Sequence, residues 1–217
     1  MALPDVTEAN VEALDRESIA LVRIAAIVAV GDEGEMRDLL RAESDAARPE
    51  WIEEVLLQSY LFAGFPRALN AMRLWRAVSG LPAPERDPEA DEGPDELWVR
   101  GERTCAAVYG RYYAPLRQNI AALHPVLDTW MIGEGYGKVL GRPTLDLRRR
   151  ELCVVAACIA AQQDRQLHSH LHGCLHVGAS RDEVGAAIEV AIAAVESHLS
   201  PDAPRRYRQL WSKVSRH

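Results

Sequence analysis

Two stretches of the chain run in parallel at one fixed offset, and both carry the apolar spacing of buried α-helices. Leu14-Asp15 corresponds to Leu145-Asp146, Leu21 to Leu152, and IAAIVA from Ile24 to VAACIA from Val155. The register continues through Met36 against Leu167 and Leu40 against Leu171. After a small insertion, EEVLLQSYLFAG faces DEVGAAIEVAIAA. Three helical patterns in the same order point to a duplication. Asp15 and Asp146 stand where helix N-caps are expected, and Ser180 with Glu183 forms a capping box before another helix. The stretch between Gln162 and Arg165 is expected to end the second of the paired helices. No alternating strand pattern of useful length occurs, and an Ala-rich inventory with only two Phe favours helix over sheet. The expected fold is therefore all-α, built from two repeats packed as a pseudo-dimer.

The chain divides into three regions. Residues 1–80 hold the first repeat. Residues 81–97, LPAPERDPEADEGPDEL, carry four prolines and a run of acids and read as a solvated linker. Residues 98–217 hold the second repeat, preceded by two further helices separated near His124-Pro125. The N-terminal MALPDVTEANVEALD has neither a basic start nor an apolar run, so no secretory signal is expected. The longest apolar stretch, IALVRIAAIVAV, is interrupted by Arg23 and is well short of the roughly 18 residues that a membrane span needs. Four cysteines in 217 residues do not make a disulfide scaffold, and a cytoplasmic location with reduced thiols is the expectation. A net charge of −7 argues against sequence-independent nucleic-acid binding, which needs a basic face.

The chemistry concentrates in RRRELCVVAACIAAQQDRQLHSHLHGCLHVGASRDEV, residues 148–184. Glu151 lies at the start of an apolar helix, and a short turn later comes a helix crowded with histidines. Two antiparallel helices would bring Glu151 to the histidines, and a carboxylate that orients an imidazole is the basis of acid–base work. The bland alternative is an exposed carboxylate favoured by the helix dipole. His168, His172 and His176 share one helical face, a spacing suited either to a metal or to a solvated surface, and no metal site is expected. A Cys174–His170 pair would be a thiolate candidate. Cys153 and Cys158, roughly 140° apart around a helix, cannot bridge. There is no C-x-x-C, no Gly-rich phosphate loop and no G-x-S-x-G elbow.

The segments GYGKVLGRPTLDLRRREL, HSHLHGCLHVGASRDEV and EEVLLQSYLFAGFPRALNAM resemble the carboxymuconolactone decarboxylase family, which includes alkylhydroperoxidase D. The resemblance implies an all-helical, oligomeric protein. The peroxidase branch of that family has the pattern E-x11-C-x2-C-x3-H. Counted from Glu151, the pattern falls on Gln163, Gln166 and His170, so the carboxylate and imidazole are present and both thiols are replaced. The first repeat has Ala20, Asp32, Glu35 and Leu39 there and keeps none of the four. The decarboxylase branch needs neither thiol nor cofactor. Its named reaction asks for an anion-binding group, which Arg142, Arg148 and Arg149 near the start of the Glu151 helix suit, and a proton donor, which His170 suits.

Three readings stand at this point. The first is a cofactor-independent lyase acting on a small carboxylated, lactone-type metabolite, with Glu151 and His170 as catalytic residues and Gln163, Gln166, Arg142 and Arg148 against the substrate. The second is a peroxiredoxin-type antioxidant using an atypical cysteine such as Cys174. The third is a non-catalytic oligomeric member. The expected partners are a small molecule and further copies of the chain, as a trimer of two-repeat subunits, with no nucleic acid and no membrane.

Overall fold

The structure is a computed structural model that describes residues 12–87 and 92–216. The expectations for residues 1–11 and for the middle of the linker, 88–91, lie outside the described residues. Among those described there is no strand, so the all-α expectation holds.

Helices α1 (Arg16–Val30) and α8 (Leu147–Ala160) are the counterparts read from the repeat, and they pack on each other. Both start as the sequence indicates. The Asp15 carboxylate accepts the Ser18 N–H at 2.7 Å, and Asp146 accepts the Arg149 N–H at 3.0 Å. Arg149 then ties the two caps together, reaching Asp15 at 2.6 Å and Asp146 at 2.8 Å. From Arg150 to Ala160 every residue of α8 is buried. A helix with no polar stripe must be surrounded, and α8 packs against α1, α3 (Pro49–Ala63), α9 (Asp164–His176) and α10 (Arg181–Ala194).

Around this pair, α2 (Glu33–Ala42) opens with a capping box made by Asp32 and Glu35, and α10 with the expected box from Ser180 and Glu183. Helix α3 turns into α4 (Phe65–Ser79) at Gly64, whose φ of +85° is open to glycine and strained for other residues. Helix α8 ends at Ala160, so Arg165 already belongs to α9 rather than to the break between them. Helix α11 (Ala203–Val214) covers α9 and α10, and its Tyr207 hydroxyl donates to the Ile159 carbonyl at 3.3 Å.

The region before α8 holds more helical segments than the two expected. Helix α5 (Pro94–Tyr109) begins inside the stretch read as linker, because Pro94 suits the first helical position and Glu96 accepts the Gly93 N–H at 2.7 Å. Helices α6 (Tyr113–Leu123) and α7 (Pro125–Trp130) are divided at His124, which Pro125 holds extended. A π-helix, Met131–Leu140, then continues α7. It lies in backbone contact with α5: a Cβ at Gly101 would stand 2.1 Å from the Ile132 carbonyl oxygen, and one at Gly137 2.2 Å from that of Leu97. The sequence shows these glycines but not the close approach they allow.

The interior also holds an ion pair that joins the two halves of the chain. Arg150, fully buried, donates to the Glu54 carboxylate of α3 at 2.6 Å and to the carbonyls of Arg142 and Leu145. Gln58 donates to the Arg150 carbonyl at 3.1 Å. Burial pushes the Arg150 pKa down, against the opposing pull of Glu54. Removing one partner of such a pair leaves a stranded charge, whereas removing both does not. Glu54→Leu is expected to lower the unfolding free energy by about 3–5 kcal/mol. The double variant Glu54→Leu/Arg150→Met should recover much of the loss. Chemical denaturation of the three proteins checks this.

Candidate active site

Helices α8 and α9 run from the tight turn at 161–163, where Gln162 takes a left-handed φ of +53°. That reversal lays the His-bearing face of α9 against the second turn of α8. The Nδ1 atom of His170 is 2.7 Å from Oε2 of Glu151. The carboxylate is 0% exposed and the imidazole 7%. The bland alternative, a solvated carboxylate at a helix start, is therefore not what this residue is. Gly173, one turn beyond His170, closes the contact: a Cβ there would sit 2.7 Å from Oε2 of Glu151 and 2.8 Å from Val108. A glycine within a histidine-rich helix is the one sequence signal that could have disclosed this close approach.

Two aromatic rings complete the surroundings, and neither is singled out by the sequence. Phe62 of α3 meets His170 edge-on at 6.4 Å between centroids, and Tyr109 of α5 does so at 6.2 Å. Tyr136 of the π-helix stands edge-on to Tyr109 at 6.2 Å. The pair thus draws on α8 and α9 for its polar atoms and on α3 and α5 for its walls. The second oxygen of Glu151, Oε1, is buried without a hydrogen-bond partner. A buried carboxylate oxygen with no donor is costly to keep, which marks this side of the pair as unfinished.

The Glu151 carboxylate is felt by its neighbours. Burial first, and this negative charge with it, pushes the thiols of Cys158 and Cys174 upward, Cys158 to about 12. Burial also raises Cys105 to about 12 and the phenols of Tyr109 and Tyr136 above their ordinary range. Cys153 is likewise pushed up to about 12 by burial. All four cysteines are free and buried.

The remaining residues singled out from sequence lie elsewhere. Gln163 and Gln166 occupy the N-cap and third positions of α9; both are exposed, and Gln163 donates to the Ala161 carbonyl at 3.1 Å. In the first repeat the matching Asp32 and Glu35 make the capping box of α2, so both pairs sit at helix starts. Arg142 binds Glu54 at 3.0 Å and Asp87 at 3.2 Å, Arg148 is paired with Glu183, and Arg149 with the two cap aspartates. Each of these cations already holds a carboxylate. His168 and His172 touch each other, with centroids 5.1 Å apart, and His176 is bound to the Val108 carbonyl at 2.7 Å. Among the described residues no group of three or more His, Cys, Asp or Glu is placed to hold a metal, and no helix is long and apolar enough to cross a membrane.

These observations describe an all-helical protein with a buried carboxylate–imidazole pair between two antiparallel helices. Residues 126–203, from α7 to the start of α11, match the model of the carboxymuconolactone decarboxylase family. It is also similar to Peroxisomal protein 2 of Schizosaccharomyces pombe, at 25% identity over 65% of this chain and 67% of that protein. It matches Peroxisomal protein 2 of Saccharomyces cerevisiae at 22% identity, over 64% of this chain and 58% of that protein. The matched region thus spans about two thirds of one relative and less of the other. The expectation of a cytoplasmic location, which rested on cysteine usage, is overturned by this comparison, since both relatives are named for the peroxisome. Composition carries no address: the same reduced thiols suit either compartment.

The thiol environment yields a direct expectation. Burial disfavours the thiolate: with Cys105, Cys153 and Cys158 pushed up to about 12 and Cys174 raised as well, the reactive form is negligible at pH 8 and grows only as pH rises far above it. Native protein mixed with Ellman's reagent at pH 8 should show no fast-reacting thiol. All four cysteines should react after denaturation.

Proposed function

We propose that the Glu151–His170 pair performs acid–base chemistry on a small carboxylated, lactone-type metabolite, without a cofactor. The observation that carries this reading is the 2.7 Å bond between a fully buried carboxylate and a nearly buried imidazole. A carboxylate on Nδ1 fixes that nitrogen as the proton-bearing one and leaves Nε2 to exchange a proton with substrate. Phe62 and Tyr109 are partly exposed and flank the ring, and in this reading a substrate would approach His170 past them.

In a decarboxylation the bond between the ring carbon and the carboxylate breaks and CO₂ leaves. The electron pair passes into the conjugated lactone, and a proton that Nε2 has taken up from solvent beforehand passes from the imidazolium to carbon, leaving the neutral imidazole. The matching family domain supports the substrate class. The burial of Cys174 counts against the thiol-based alternative. The names of the two relatives support a peroxisomal location. Exposed apolar residues of α6 and α7, Leu123 at 74% and Trp130 at 63%, support the expected homo-oligomer, a trimer of two-repeat chains.

Turnover of a carboxylated muconolactone, measured as CO₂ release, tests the reading. His170→Ala should abolish the activity, and Glu151→Gln should lower kcat by about 10²–10⁴ while leaving the helical circular dichroism unchanged. Equal turnover by wild type and Glu151→Gln would dismiss the pair. No release from the wild type with any carboxylated lactone would dismiss the substrate class.

A further inference from the structure

A cavity of about 690 Å³ opens away from the Glu151–His170 pair, between the α3–α4 hairpin, residues 84–87, the π-helix and the loop that leads to α8. Its size lies within the roughly 300–1,000 Å³ of small-molecule sites. The walls are Leu57, Tyr60, Phe65, Leu69, Met72 and Val139. Tyr60 and Phe65 meet edge-on at 6.1 Å across the Gly64 turn, which fixes the angle of the hairpin that forms the cavity. At its base Glu54 is immobilised by Arg142 and by the fully buried Arg150. The site is therefore preformed.

Its charges are matched but for that of Glu50, which is exposed. Of the cations that line it, Arg142 holds Glu54 and Asp87, Lys138 holds Glu134 at 3.2 Å, and Arg86 is engaged as well. Of the carboxylates, Glu53 is bound by Arg76 at 2.7 Å from outside the lining. A carboxylated ligand would have to break one of these pairs and lie beside Glu50, Glu53 and Glu54. A cationic ligand would compete for Glu53, Glu54, Asp87 and Glu134, which already have partners; only Glu50 is unpaired, and it is exposed, where an ion pair is worth little. Meanwhile the apolar walls are left wet, with Phe65 63% and Leu69 49% exposed. We propose that this cavity binds an uncharged, predominantly apolar small molecule, at a site separate from the Glu151–His170 pair and without the preference for a carboxylate proposed there.

The test uses the full chain and the uncharged fluorophore N-phenyl-1-naphthylamine, displaced by octanol, octanoate or octylamine. The expected result is saturable binding, displacement by octanol, and displacement by either charged analogue weaker by roughly tenfold or more. Leu69→Trp, which fills the cavity from a half-exposed position, should weaken probe binding by a similar factor with unchanged helicity, and Leu57→Lys should do the same by placing a charge in the wall. Glu151→Gln should bind the probe as the wild type does, whatever its effect on turnover. Absence of saturable binding would overturn the proposal, as would octanoate or octylamine matching octanol, or binding indifferent to both wall variants. Probe binding that falls as chain concentration and sedimentation coefficient rise would also overturn it, making a second copy of the chain the occupant.

Discussion

Helix α8 is enclosed on every side, and its first two turns carry Arg150 and Glu151. An unpaired charge taken from water costs several kcal/mol even after relaxation, so neither residue can be tolerated there without a partner. Each finds one on a different element: Arg150 on α3 through Glu54, Glu151 on α9 through His170. Two adjacent residues of one helix thus fix the positions of the two helices packed against it. The first pairing fastens the halves of the chain together and forms the base of the open cavity. The second forms the candidate active site. The same burial that makes α8 the axis of the fold produces both.

Periodicity made the central helices legible in the sequence. The apolar repeat located α1 and α8, the Asp and Ser caps marked helix starts, and the spacing of Glu151 from His170 matched a family pattern that the structure brings to hydrogen-bonding distance. These features are local or lie on two consecutive helices, so linear spacing carries them. Phe62, Tyr109 and Glu54 come from elements distant in sequence, and nothing in their immediate neighbours distinguishes them from ordinary helix residues. The π-helix was hidden for a related reason: Gly101 and Gly137 matter because two backbones touch, which is a tertiary fact.

The arginines show the limit of reading charge from sequence. Arg142, Arg148 and Arg149 stood near a candidate site and looked suited to an anion. The structure assigns each of them carboxylates from Asp15, Glu54, Asp87, Asp146 or Glu183, one of them more than a hundred positions away. Surface and half-buried pairs of this kind orient elements more than they stabilise them. Gln163 and Gln166 replace thiols at the start of α9 and stand exposed there. The chain keeps the carboxylate and imidazole of the family pattern without its paired thiols, and the cysteines it has are buried.

The central claim is that a buried Glu151 fixes the tautomer and orientation of His170. Nitrogen-15 NMR of the histidine side chains reads this directly. The account predicts a single tautomer for His170, protonated at Nδ1 with a strongly downfield, slowly exchanging proton that is lost in Glu151→Gln. A His170 spectrum with the tautomer mixture of a solvated imidazole, unchanged by that substitution, would contradict it.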